Sequence, residues 1–217
     1  MAAVSGHLAD GDGTPPQFQR AVEALRAAAV RPEVELTPTR APQRLAPYAY
    51  AVTGSVTVEG EELADGRFVL LHDPDGHEAW QGDFRVVTLA RADLEPEMAQ
   101  DPLLAEVGWS WLTGALEGRG ARFGEPSGTV SRCSSHFFGG LSERPVSTTV
   151  EIRASWTPED RGAGPDLPAH LAAWADLLCT TGGLPPSGHG DDGGPGSGRS
   201  GGGGVVPMPS RRSPQRH

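Results

Sequence analysis

The chain contains no lysine, no asparagine and a single isoleucine, Ile152. A coding sequence poor in A and T produces that pattern, so the reliance on arginine for positive charge does not by itself signal bidentate recognition. Cysteine is scarce as well: Cys133 and Cys179 are the two in the chain, and their separation matches neither a zinc pair nor a redox pair. Both read as buried free thiols in a reducing compartment. No apolar run approaches the roughly 18 residues that span a bilayer, and no charged, apolar and small-residue leader opens the chain. A cytoplasmic protein without membrane contact is expected.

Positive charge is in short supply, with 18 basic against 28 acidic residues and a net charge of −10. Residues 182–217 hold four Arg and two Asp, which leaves 14 − 26 = −12 on the remainder. An acidic surface repels phosphate, so direct nucleic-acid binding is not expected of the folded part. Arg211, Arg212 and Arg216 in the tail are too scattered to change that. Phosphate loops are missing too. Gly118/Gly120 follow a helical stretch and Gly139/Gly140 join two strand-like runs, so neither pair lies between a strand and a helix N-terminus.

The first 13 residues are small and polar, and everything from Gly182 onward is Gly, Pro, Ser and Asp with little to bury. Residues 1–13 and 182–217 therefore read as disordered flanks of one domain over 14–181. Within it, Thr14-Pro15-Pro16-Gln17 looks like a capped helix start, with Phe18, Val22, Leu25 and Ala29 on one stripe until Pro32. Glu33–Thr37 reads as a short strand, and Tyr50, Val52, Gly54, Val56 and Val58 alternate with Ala51, Thr53, Ser55 and Thr57 as a half-buried strand. A polar turn, EGEELADG, leads to strands over Phe68–Leu71 and Phe84–Ala90.

Asp93 and Asp101 are candidate helix caps, the second for a main helix over Pro102–Glu117. Leu104, Val107, Gly108, Trp111, Leu112 and Ala115 form its broad apolar face, flanked by Leu103, Leu116 and Trp109. Glu95, Glu97, Asp101 and Glu106 suit a helix N-terminus and could also dock a basic partner. Strand patterns over Thr129–Phe137 and Thr148–Trp156 follow, then a helix capped by Asp166 with Leu167, Leu171, Trp174 and Leu178 on one stripe. The order helix, strands, helix, strands, helix predicts an α+β fold. Its antiparallel sheet has about five to six strands, with three main helices mainly on one face. That order is similar to the type III secretion chaperone fold, a binding fold that commonly dimerises.

The chemistry is concentrated between the two central strands. The loop HDPDGHEAWQGDF holds His72, Asp73, Asp75, His77, Glu78, Trp80 and Asp83. Asp73-Pro74-Asp75-Gly76 suits a type I turn, which explains its acids without a ligand. An EF-hand is excluded, because His77 and Phe84 stand where a third oxygen ligand and the closing Glu belong. His72 and His77 could converge with Glu78 or Asp83 as metal ligands or as an acid/base pair, yet the spacing specifies no zinc site. No cofactor and no metal follow from the sequence. Ser134, Ser135 and His136 lack a nucleophile elbow, and alternation puts Ser135 and His136 on opposite faces.

In the blocks APQRLAPYAYA, LLHDPDGHEAWQGDFR, LEPEMAQDPLLAEVGWSWL and VEIRASWTP, the chain resembles an actinobacterial domain-of-unknown-function family, number three thousand, over about Phe18 to Leu178. The resemblance implies no activity, cofactor or catalytic residue. It implies a genomic neighbour, a ribonuclease-D-like exonuclease, and so an accessory role in RNA processing as one alternative.

Three functional expectations result. The first is a non-enzymatic binding, adaptor or regulatory domain, with a protein partner or as a homodimer, using Trp80 and its loop and the flank near Trp109. A hydrolase built on His72, His77, Glu78 and Asp83 is the second. A purely structural role for the loop, with Trp80 as a core plug, is the third.

Overall fold

The computed structural model describes residues 13–186 except Arg161 and Ala163. The expected disorder of 1–12 and of the tail beyond 186 lies outside the described residues. Between them the chain runs α1 (Pro16–Ala27), β1 (Val34–Thr39), β2 (Tyr48–Val58), β3 (Glu61–His77), β4 (Gly82–Leu94), α2 (Pro96–Ala99), α3 (Leu104–Gly118), β5 (Phe123–Ser135), β6 (Ser147–Pro158) and α4 (Leu167–Thr181). The six strands form one sheet in the order β1-β2-β3-β4-β6-β5, antiparallel throughout. This is the expected α+β architecture with three long helices.

Pairing puts residues of one parity on one face. Val56, Phe68, Leu70, Val86, Ala90, Val150, Ile152 and Trp156 all join the core beneath the helices. The alternation read in β2 holds at Tyr50, Val52, Gly54 and Val56, which are buried, while Val58 is half-buried and Ala51, read as outward, is buried in a second cluster. α4 lies over the middle of the sheet, and its neighbours α1 and α3 close around it. For that reason the expected single stripe on α4 is replaced by burial on every side: Leu167 and all residues from His170 to Thr181 are buried. A helix apolar all round is a buried helix. Asp176 and Thr181 among its polar residues find partners within the fold. Asp176 takes a bidentate pair from Arg119 at 2.5 and 2.8 Å, and the Thr181 hydroxyl donates to the Leu177 carbonyl.

Two glycines set how closely α4 approaches. Trp174 lies across Gly54 and Gly66, where added Cβ atoms would stand 2.8 Å and 3.0 Å from its ring. The indole N–H donates to the Leu89 carbonyl at 3.1 Å, and the same oxygen would collide with a Cβ on Gly66. Van der Waals contact below about 3.5 Å is repulsive for carbon pairs.

Several boundaries depart from the sequence reading. Pro15, not Thr14, occupies the cap of α1 without a side-chain bond, and the helix ends at Ala27, leaving Ala29 exposed. Thr14 contributes its carbonyl instead, to Gln19. Only Glu59 and Gly60 turn between β2 and β3, so most of EGEELADG is strand, its outward positions solvated. Asp93 belongs to β4 and accepts a hydrogen bond from Thr149, while Asp101 bonds the Leu103 N–H in the turn before α3. β5 starts at Phe123, earlier than expected. Cys133 is exposed on that edge strand, whereas Cys179 is buried and its thiol is pushed up to about 12 by that burial. No helix among the described residues is long and apolar enough to cross a membrane.

The two glycines and the buried His170 give measurable consequences. Gly66→Ala forces a methyl into a backbone oxygen and should cost about 1–3 kcal/mol in urea unfolding, while Gly118→Ala, which meets nothing within 4 Å, should not destabilise. Equal effects would remove the account of the Trp174 seat. His170 accepts the Trp156 indole N–H at Nδ1, 3.0 Å away, so it is neutral in the fold. Burial pushes its pKa down to about 4, against weaker raising influences from Asp166 and the Arg122 backbone. As pH falls, the unfolded chain protonates first, near about 6.5. The stability due to the neutral ring is thus complete above about 6.5 and is lost toward about 4, by up to roughly 3 kcal/mol. A His170→Leu variant should show a flatter decline over that window, and a decline parallel to the native one would contradict this.

Candidate binding site

The hairpin tip folds differently from its sequence reading. His72 pairs with Phe84 and His77 with Gly82, so four residues, Asp73 to Gly76, face the single residue Asp83. One acid of that bulge is used locally. Asp73 accepts the Asp75 N–H, and Gly76 sits at φ 76°, a region glycine enters without strain. The chain reverses at a 3₁₀ turn over Glu78–Trp80, closed by Gln81 at φ 54°.

The bulge separates the two histidines. His72 is fully buried on the helix side, stacked on Phe84 at 4.3 Å and on Phe18 at 5.8 Å between ring centres. Its Nδ1 lies 3.0 Å from the Asp83 carbonyl, which can only accept, so Nδ1 carries the proton. His77 is exposed, stacks on Trp80 at 4.6 Å, and accepts the Ala79 N–H as a cap. The Asp83 carboxylate takes a bond from Gln17 of α1, and Asp75 and Glu78 are exposed. Among the described residues, no group of three His, Cys, Asp or Glu is placed to share a cation. The side chains required by the hydrolase expectation are not brought together.

The two tryptophans sit on opposite faces of the sheet. Trp109 is half-buried against the main core, where a Cβ on Gly128 would come within 2.7 Å of its ring. Trp80 is half-buried on the other face. There it packs with Ala41, Ala46, Ala49 and Val87 onto a small second core of Ala51, Val69 and Leu71. Its carbonyl accepts the Thr157 hydroxyl, and the 40–46 segment is tied down by Arg67, which donates to the Arg40 carbonyl.

Beyond that strap the helix-free face is open. Register lines up Val69, Val87, Ser155 and Ser127 in one row and Arg67, Leu89, Arg153 and Thr129 in the next. The two rows border a depression of about 390 Å³. Its floor is apolar at Val69, Val87 and Leu89, and its borders are hydroxyls and arginines. Behind the hydroxyls lies Arg85, 7 % exposed, donating to Thr157 at 3.0 Å, Ser127 at 3.1 Å and Ser155 at 2.8 Å. All three partners are neutral. Burial draws the Arg85 guanidinium below its usual value, partly countered by the charge of Glu125. The Arg67 Nε is also buried, with no hydrogen-bond partner among the described residues.

A family model described as "Protein of unknown function (DUF3000)" matches residues 14–190. The chain belongs to this family. Comparison of the DUF3000 domain with curated proteins and with solved structures finds no match.

None of the depression's residues was singled out from the sequence of the DUF3000 domain. One signal was available: FVLL and VVTLA are apolar at both parities, and a strand buried on one face only should alternate. Trp80 is the residue that covers part of this second apolar face. Trp80→Ala should therefore lower stability by ~2 kcal/mol, less than the 3 to 5 kcal/mol of a fully buried aromatic. His77→Ala, exposed beside it, should stay within about 0.5 kcal/mol. Chemical denaturation checks both, and a Trp80 variant as stable as the native protein would show that the strap carries no packing.

Proposed function

We propose that the protein is a non-enzymatic binding domain whose recognition surface is the helix-free face of the sheet, centred on the depression beyond Trp80. The observation that supports this is the combination there of an apolar floor with an arginine-and-hydroxyl border. Ligand sites are typically concave and mainly apolar, with a few fixed polar groups, and have volumes from about 300 Å³ upward. The ~390 Å³ depression is of that kind. A packed sheet holds its border rigidly, since side chains on paired strands keep their spacing to a fraction of an ångström. Acid/base chemistry has no comparable support. His72 is enclosed by aromatic rings and His77 rests on Trp80, so neither faces a common cleft with Glu78 and Asp83.

Thr129 is exposed on the same face and borders the depression. Thr129→Trp would fill the space from its edge strand without entering the helix-side core, and tryptophan is well tolerated in strands. A ligand-observed NMR screen of small molecules should give hits that compete for one site in the native protein and vanish in Thr129→Trp. Hits indifferent to that substitution, or no hits at all, would sink the proposal.

A further inference from the structure

We infer that the ligand of this depression is a small organic anion, its acidic head held by the arginine-and-hydroxyl border and its apolar body lying on Val69, Val87 and Leu89. This inference rests on the binding reading above and adds the chemical class.

The argument begins with which cations are paired. Several arginines elsewhere meet carboxylates, Arg31 with Glu33 at 2.8 Å, Arg91 with Asp65 at 2.9 Å and Arg119 with Asp176 at 2.5 Å, and those among the described residues that do not, Arg20, Arg26, Arg40, Arg44, Arg132 and Arg144, are exposed to water. The pair Arg91–Asp65 lies one row along the sheet from Arg67. Arg67 and Arg85, by contrast, make no ion pair among the described residues, although residues 1–181 carry 14 − 26 = −12. Both are partly or largely withdrawn from water, where an unpaired charge is costly. An anion arriving from solution would supply the missing charge. Guanidinium forks match carboxylate, sulfonate or phosphate oxygens, and such bonds are about twice as strong as neutral ones.

The hydroxyls point to the same class. Arginine can only donate. Ser127 and Ser155 therefore accept from Arg85 through their oxygens, which stand 3.1 Å from each other. At most one hydroxyl proton is taken up between the pair, so at least one remains to donate. That O–H is polarised by the cation behind it and lies at the border of the depression, and it suits an acceptor-only group. Arg153, 62 % exposed and ion-paired with Glu151 at 2.6 Å, stands in the row between Leu89 and Thr129 and offers its remaining N–H donors at the rim. The apolar floor between these groups separates the inference from inorganic phosphate: an ion without an apolar body would leave Val69, Val87 and Leu89 uncovered.

Two naphthalene probes of similar size test this: the sulfonate 8-anilinonaphthalene-1-sulfonate and the neutral N-phenyl-1-naphthylamine, titrated against the natively folded protein and followed by fluorescence. The sulfonate should bind saturably and be lost in Thr129→Trp. It should weaken roughly ten- to a hundredfold in Arg67→Gln and weaken with added salt. The neutral probe should bind at least about tenfold more weakly. Arg153→Gln, at an exposed position that folding does not need, should weaken the sulfonate by a smaller factor, which keeps the test decisive if Arg67→Gln fails to fold. Equal binding of both probes, abolished together by Thr129→Trp, would overturn the anionic class and leave the binding reading standing. Sulfonate binding indifferent to Arg67→Gln and Arg153→Gln would overturn it too. If neither probe binds, the anionic class falls, and the small-molecule screen with Thr129→Trp alone decides the binding reading.

Discussion

The seat of Trp174 constrains nearly everything else in the fold. A buried indole must find a partner for its N–H, and here the partner is the Leu89 carbonyl, a backbone group within the sheet. Reaching it requires α4 to lie almost on the strands, and only the missing side chains of Gly54 and Gly66 allow that. With α4 held this close to the sheet, α1 and α3 pack against it, and it is buried on every side. His170 accepting from Trp156, and Asp176 paired with Arg119, are then the internal polar contacts of a helix with no solvent face.

Placing all the helices on one face leaves the other without a layer. The central strands cannot be polar there throughout, because Val69, Leu71 and Val87 sit between neighbours that crowd out water. The chain covers part of that surface with residues 40–46 and Trp80 from the hairpin tip. The four-against-one bulge lies between His72, buried on the helix side, and the tip that carries Trp80 on this one. The depression lies in the part left uncovered.

Much of this fold was legible in the sequence because it rests on periodicity. The alternation in β2 and β6 and the apolar face of α3 are local patterns, and burial follows them at Val52, Ile152 and Leu112. The stripe on α4 misled because a period shows which side must be buried and not whether the opposite side is buried as well. Polar stretches misled in the other direction: EGEELADG and the DPDG run look like turns, yet lie mostly within β3, whose outward positions tolerate polar residues. The site was less legible for a physical reason. Its chemically dense candidates, His72 to Asp83, are adjacent along the chain, whereas Arg67, Leu89, Thr129 and Arg153 are neighbours only through strand register.

Composition accounts for one property of the depression and leaves another unexplained. A chain without lysine must use arginine wherever it needs a cation, so the presence of guanidinium groups is no evidence of selection for their shape. Their position is a separate matter. At position 85 a valine or threonine would fill a strand without the several kcal/mol needed to withdraw a charge from water. Three bonds to neutral hydroxyls offset part of that cost, at about 1.5–3 kcal/mol each for charge-assisted bonds. The salt bridge Arg91–Asp65, two strand positions from Arg67 and on the same face, demonstrates that this sheet accommodates carboxylate partners. Arg67 and Arg85 have been given hydroxyls and a carbonyl instead. Neutral partners orient a guanidinium without neutralising it, and although the charge of Glu125 offsets part of the field of Arg85, the remainder reaches the floor that Arg67 borders.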